Sequence, residues 1–327
     1  MKYVNLGRSG LKVSAICIGG NSWGAKGRRA WAAFGEEESR PFFRRALDRG
    51  ITFFDTADAY NQGESETIVG KALLGYAKRE DVVISTKAGL KMGDGPNDIG
   101  LGRKHLISAV DDSLRRLATD YIDVFQVHRL DGSTPIEETM QTLDGLVRAG
   151  KIRYIGGSTM PAYKFAQMIM LADLKGYARP IAMQNLYNML QREDELEMNQ
   201  LCLEEGVGLI PYSPLARGVL AGNRSGVGEG ETERAREDKL VARTNLFRGS
   251  DRKVVDRLVK IAERRGVKPT QIALAWLLSK PVMAAPIIGA TKLDYIDDAV
   301  DAVGLVLSDK EIERLENPYE YRPSDIG

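Results

Sequence analysis

The chain has 327 residues, of which 43% are hydrophobic and 28% charged, with a formal net charge of +1. This is the balance of an ordinary folded protein, and it leaves no electrostatic footprint for nucleic acid or an acidic membrane surface. A chain of this length buries about three quarters of its unfolded surface, so it needs no disulfide staples. Cys17 and Cys202 lie far apart in apolar contexts and read as buried thiols. Two histidines and two cysteines so scattered give no metal site. The start of the chain has no signal-type apolar core and no run is long enough to span a bilayer, so a cytoplasmic protein is expected.

In chain order, Tyr3–Leu6 and Leu11–Val13 flank Gly7-Arg8-Ser9-Gly10 and read as a small hairpin. A repeating unit follows: a short apolar run, a loop and an amphipathic segment. The strand candidates are Ala15–Ile18, Ile51–Asp55, Val82–Thr86, Ile122–Val127, Ile152–Ile155, Ile181–Gln184, Val207–Pro211 and Ala285–Ile288. Helical spacing runs through Glu37–Arg49, Ser65–Leu74, Arg103–Leu117, Ile136–Arg148, Ala162–Leu174, Glu193–Glu205 and Gln271–Leu278. Gly50, Gly150, Gly206 and Gly266 stand just past helical segments, as left-handed caps do. Eight strand-helix alternations predict an α/β fold, a (β/α)8 TIM barrel. It would be one domain over residues 1–327, with a short N-terminal hairpin and extra C-terminal helices. A doubly wound sheet is the runner-up, but Gly19-Gly20-Asn21-Ser22-Trp23-Gly24 after the first strand does not match its phosphate-binding glycine pattern. Residues 217–248 are long, Gly-rich and charged, and are expected to form a mobile loop at the catalytic rim.

Four side chains leave successive strand ends. Asp55 and Tyr60 follow the second strand, Lys87 ends the third and His128 ends the fourth. A barrel brings such ends to one rim. A free phenol is a poor acid at neutrality. An adjacent ammonium is expected to lower its pKa, an aspartate to hold that ammonium, and a neutral imidazole to donate to the same oxygen. Such a group polarises a carbonyl and delivers a proton, and carbonyl reduction then needs a hydride from a nicotinamide. His105, at a helix start, reads as structural.

The sequence resembles the aldo-keto reductases. The resemblance rests on Asp55-Thr56-Ala57-Asp58-Ala59-Tyr60, Ser85-Thr86-Lys87, Tyr121-Ile122-Asp123 through His128-Arg129, Ile155-Gly156-Gly157-Ser158, Gln184-Asn185-Leu186-Tyr187-Asn188, Tyr212 through Gly218 and Pro286 through Thr291, in family order over nearly the whole chain. It is nearest to the bacterial subgroup that is similar to potassium-channel β subunits. The resemblance implies an enzyme that reduces an aldehyde or ketone with NADP(H). Tyr60 would be the general acid, Lys87 its modulator, Asp55 the partner of Lys87 and His128 the group that orients the carbonyl. It also implies cofactor contacts from Gly20, Asn21, Asp55, Ser158, Thr159, Gln184, Tyr212, Ser213, Pro214, Leu215, Gly218, Gly289, Thr291, Lys292, Tyr295 and Asp298. Ser158 and Gln184 would hold the carboxamide, Tyr212 would stack on the nicotinamide, and Thr291 and Lys292, opening the last helix, would take the 2′-phosphate. Trp23 and Arg129, with Tyr60 and His128, are the candidates for contact with a small carbonyl substrate, and Tyr319 and Tyr321 of the tail are further candidates. Thr159, Tyr295 and Ala299 depart from the residues usual at those positions. An alternative is an NADPH-binding regulatory subunit with residual turnover, against which His128 argues. Another is a lyase using Lys87 as a Schiff-base nucleophile. Neither oligomeric state nor the particular substrate is legible in the chain.

Overall fold

The structure is a computed structural model and describes residues 1–24, 34–222 and 249–322. A hairpin of β1 (Tyr3–Asn5) and β2 (Lys12–Ser14) precedes eight parallel strands: β3 (Cys17–Gly19), β4 (Phe53–Asp55), β5 (Val83–Ala88), β6 (Ile122–Val127), β7 (Ile152–Ser158), β8 (Pro180–Gln184), β9 (Gly208–Leu209) and β10 (Ile287–Ile288). Their order is β10-β3-β4-β5-β6-β7-β8-β9. The ends of that order meet: Leu209 bridges Met283, and the Ile287 amide donates to the Pro211 carbonyl at 2.9 Å. The sheet is therefore the expected TIM-type barrel, with helices between its strands.

The period-two alternation of strand residues sorts each strand into two faces. Phe54, Ile84, Phe125 and Ile155 point outward and pack beneath the helices. Those helices are α1 (Glu36–Asp48), α2 (Glu64–Ile68), α3 (Arg103–Leu117), α4 (Ile136–Arg148), α5 (Ala162–Lys175) and α6 (Met198–Glu205). Inside the barrel, Cys17, Phe53, Val83, Val124, Ala182 and Ile287 form an apolar layer closed from below by Leu6 and Val13 of the hairpin. One inward step further along the strands the layer turns polar, with Asp55, Ser85, Gln126 and Gln184. This gradient positions the site.

Several boundaries differ from those read in the sequence. Segment 65–74 is not one regular helix, because α2 passes into a π turn over Val69–Leu73. Segment 193–205 breaks at Glu197 (φ −144°, ψ −57°) between a 3₁₀ turn, Glu193–Leu196, and α6. Four helices follow the last long loop: α7 (Gly249–Arg265), α8 (Pro269–Leu278), α9 (Asp294–Ala302) and α10 (Asp309–Glu316). Thr291 and Lys292 thus precede α9, and α9 is not the last helix. Within the loop expected over 217–248, residues Ala216–Ala221 form 3₁₀ turns and residues 223–248 lie outside the described residues. Among the described residues no helix is long and apolar enough to cross a membrane.

The hairpin closes the barrel floor through Leu6, which is fully buried. Leu6→Ala should cost about 2–5 kcal/mol of unfolding free energy by urea titration. A loss well under 1 kcal/mol would show that the floor does not depend on this plug.

Candidate active site

The pairing register sets the site before any side chain acts. Gly19 lies beside Asp55, Asp55 beside Ser85, Lys87 beside Gln126 and Ser158 beside Gln184. Lys87 is fully buried, and its Nζ donates to Asp55 Oδ2 at 2.6 Å and to the Thr56 carbonyl at 2.7 Å. The other carboxylate oxygen, Asp55 Oδ1, accepts from Gln184 Nε2 at 2.9 Å and from Gln126 Nε2 at 3.1 Å. Gln126 also donates to Ser85 Oγ at 2.7 Å. The sequence assigns Gln126 and Ser85 no site role, although Ser85 stands in the Ser85-Thr86-Lys87 stretch. Both lie one inward step below His128 and Lys87, which have one, so strand alternation is the signal that finds them.

Tyr60 reaches this group by a tight turn. The chain beyond β4 stays alongside β5, with the Thr56 amide on the Ser85 carbonyl at 2.8 Å and the Asp58 amide on the Lys87 carbonyl at 3.0 Å. Asn61, Gln62 and Gly63 are then all left-handed, at φ 48°, 54° and 87°. Asn61 offsets part of that strain by donating from its side chain to the Trp23 carbonyl at 2.6 Å. The turn sets the Tyr60 ring with its centroid 5.1 Å from Lys87 Nζ, and edge-on to His128 at 5.8 Å between centroids. Asp55, Tyr60, Lys87 and His128 therefore meet in one place.

The electrostatics correct one expectation. Burial raises the Tyr60 phenol above its usual value, and although Lys87 pulls the other way, burial wins. The ammonium therefore limits the penalty on the phenolate without producing a phenol of low pKa. Burial also opposes the charge on Lys87, but Asp55 first and Tyr60 next outweigh it and raise its pKa, so the amine stays protonated. His128 is pulled down to about 3 by burial and by the Lys87 and Arg129 charges, so it is a neutral imidazole at physiological pH. Its Nδ1 is buried without a hydrogen-bond partner among the described residues.

The remaining candidates are placed as follows. Ser158 is buried with its hydroxyl 3.2 Å from that of Thr159, a residue with φ 47°. Gln184 spends its amide donors on Asp55 and Gln126. Tyr212 leaves the end of β9 half-buried, with its phenol raised by burial against a hydrogen bond from Thr159. Ser213, Ala216, Arg217 and Gly218 are left-handed in a loop that also holds Pro214 and Leu215. Gly20 and Asn21 lie in a 3₁₀ turn after β3, where Gly20 abuts Ser65. Gly289 is exposed, and a Cβ there would meet no more than Ser22 Oγ at 4.0 Å. Lys292 stands 6.0 Å from the ring of Tyr295, which is half-exposed. Asp298 is taken up by Lys268, with Nζ 2.8 Å from each carboxylate oxygen. Arg129 is exposed. Trp23 is packed against Phe43 at 4.2 Å between centroids and is 1% exposed, because the turn after β3 points it under α1. The Tyr319 hydroxyl accepts from the Arg192 amide at 2.8 Å and donates to Glu193 Oε1 at 2.7 Å, with Tyr321 edge-on to it, so these rings fasten the tail. His105 is buried and does not join the cluster.

Asp58 lies next to this group and was not expected to matter. It is 1% exposed, and among the described residues no side chain donates to it. Burial and then Glu66 raise its carboxyl to about 7, against the Ala59 amide, Arg116 and Lys87. Because the folded-state value exceeds the unfolded one, the ionised form opposes folding, and stability falls as pH rises from about 4 through 7. Asp58→Asn should therefore stabilise more at pH 8.5 than at pH 5, by on the order of 1–3 kcal/mol, measured by urea unfolding at both values. Equal effects at the two values would contradict a buried ionisation here.

The model of the Aldo/keto reductase family matches residues 15–320. Versiconal hemiacetal acetate reductase of Aspergillus parasiticus is 42% identical, over 98% of this chain and 97% of its own length. A putative aryl-alcohol dehydrogenase of Schizosaccharomyces pombe is 40% identical, over 97% and 95%. A probable voltage-gated potassium channel subunit beta of Arabidopsis thaliana is 36% identical, over 99% and 98%. The resemblance to channel subunits thus has a counterpart among these relatives. They are fungal and plant proteins, which gives no support for a bacterial subgroup.

Proposed function

The chain belongs to the aldo/keto reductase family, a family of oxidoreductases acting on small carbonyl substrates, and on that premise we propose that it is an NADPH-dependent carbonyl reductase with Tyr60 as the general acid. The observation that carries the reading is the buried Lys87–Asp55 contact beside the Tyr60 ring. It keeps a full positive charge where a phenol gives up its proton. The proton leaves Tyr60 Oη for the carbonyl oxygen, and Lys87 stabilises the phenolate left behind. Neutral His128 has a ring N–H to give to the same carbonyl oxygen, which fixes the carbonyl's orientation without competing as an acid.

Residues around this group fit a dinucleotide. Left-handed residues interspersed in a short loop gather backbone N–H groups into an anion-binding concavity, and the loop from Ser213 to Gly218 has four. Pro214 and Leu215 complete the stretch that would follow the pyrophosphate. Ser158 and Thr159 offer hydroxyls for the carboxamide and Tyr212 an aromatic face for the nicotinamide. Gln184 joins Ser158 at the carboxamide only through its carbonyl oxygen, since its amide donors serve Asp55 and Gln126. Gly289 gives steric room near Thr291 and Lys292, which would meet the 2′-phosphate, with Tyr295 beside them and Asp298 neutralised by Lys268. Gly20 and Asn21 would border the same cleft. When bound, the cofactor supplies the hydride. The reading treats residues 1–327 as one catalytic unit, and it extends the activity named for the versiconal hemiacetal acetate reductase to this chain only as a reaction class. A second reading, a cofactor-sensing subunit, draws on the 36% identity to the channel-subunit relative. The assembled Tyr60, Lys87 and His128 favour turnover over it.

Tyr60→Phe should bind NADPH with little change and lower kcat by about 10²–10⁴-fold in a 340 nm assay across an aldehyde panel. A native protein that binds NADPH and turns over no carbonyl would replace the reductase reading with the regulatory one.

A further inference from the structure

Strand β5 has a second face. Lys87 points into the barrel, so Thr86 points out, and its Oγ1 donates to Glu66 Oε1 at 2.5 Å. The other oxygen, Glu66 Oε2, accepts from Arg116 Nε at 2.6 Å. Glu66 has no exposed side-chain surface, while Arg116, near the end of α3, is 24% exposed. The guanidinium shaft lies on Gly63, where an added Cβ would come within 2.6 Å of Arg116 Cδ. Gly63 ends the left-handed turn that delivers Tyr60. One ion pair on the outer side of the barrel thus touches both the turn that sets the phenol and the strand that sets its ammonium.

We propose that Arg116, acting through Glu66, is a positioning residue for the proton-donating pair, holding the Tyr60 turn against the Lys87 strand from behind. A carboxylate stripped of water is tolerated only where donors surround it, and Glu66 has Thr86 and Arg116. Without the guanidinium, Glu66 keeps one donor fewer than its burial demands and draws the start of α2 toward water. Gly63 also loses the side chain packed over it. Either change moves the Tyr60 turn relative to β5. Asp58, whose carboxyl lies in the field of Glu66, Arg116 and Lys87, loses a compensating charge at the same time. A displacement of about 1 Å at a reacting group is enough to cost on the order of 10²-fold in rate.

The inference rests on the reductase reading, so native turnover is measured first. Arg116→Met, Arg116→Lys and Glu66→Gln are then compared with Arg79→Met. That control breaks a largely buried ion pair to Asp123, which meets β5 at the Ile84 amide and not at the Tyr60 turn. Activity is expressed per NADPH site titrated by fluorescence, which removes any loss due to unfolded protein. Arg116→Met should lower kcat per site by about 10–100-fold with NADPH affinity within about threefold of native, and Arg116→Lys should recover part of it. Arg79→Met should melt earlier with kcat per site unchanged. If Arg116→Met does not fold, Glu66→Gln, which keeps the shape and removes the charge, carries the same expectation. A kcat per site within about threefold of native in the Arg116 or Glu66 variants, or a loss matched by Arg79→Met, would overturn the positioning role and leave the reductase reading standing. No turnover by the native protein would sink both.

Discussion

The buried contact between Lys87 and Asp55 is the constraint around which the barrel's polar interior is arranged. Removing either ion from water costs several kcal/mol, and mutual attraction repays it only when the remaining donors and acceptors are satisfied. Here they are. Thr56 offers its carbonyl to the ammonium, and Gln126 and Gln184 offer their amides to the carboxylate. The polar layer of β4, β5, β6 and β8 therefore forms one satisfied network above an apolar floor. A register slip in any of these strands would face its member of the network outward and leave Asp55 short of a partner.

The same contact governs the chemistry of its neighbour. Tyr60 sits where burial makes ionisation harder, and the Lys87 ammonium opposes this. His128 is neutral for the converse reason, because burial and two nearby cations leave its ring no advantage in taking a proton. Burial thus keeps both rings uncharged, raising the phenol and lowering the imidazole. On the outer face, Glu66 and Arg116 form a second buried pair that shares β5 with the first. Asp58 lies in the field of both, with a carboxyl that burial and Glu66 raise to about 7.

Much of this was legible in the chain. Strand-end placement of Asp55, Lys87 and His128 needed only the apolar runs before them, and the eight alternations pointed to a closed barrel. What was hidden depends on distances that the chain does not display. Gln126 reads as an ordinary polar residue in a strand until its face is assigned. Glu66 and Arg116 are far apart in sequence and each reads as a solvated helix residue. Trp23 follows a strand end and so resembles a rim residue, but the turn over Gly20–Ser22 buries it. The lowered Tyr60 pKa expected from the chain counts local charge alone, and burial reverses its sign. The π turn over Val69–Leu73 contains Gly70, which lies against the backbone of Leu117, a closeness that the chain does not display.

The central claim is that the Lys87 charge, held by Asp55, is what lets a buried phenol donate its proton. A double variant, Asp55→Asn with Lys87→Met, tests it most directly, because it removes both charges together and leaves no uncompensated ion to unfold the protein. The measurement is kcat for a reactive aldehyde at saturating NADPH, with a melting curve alongside. The account predicts a folded protein whose kcat has fallen by about 10²-fold or more. A folded double variant with kcat within about threefold of native would contradict it.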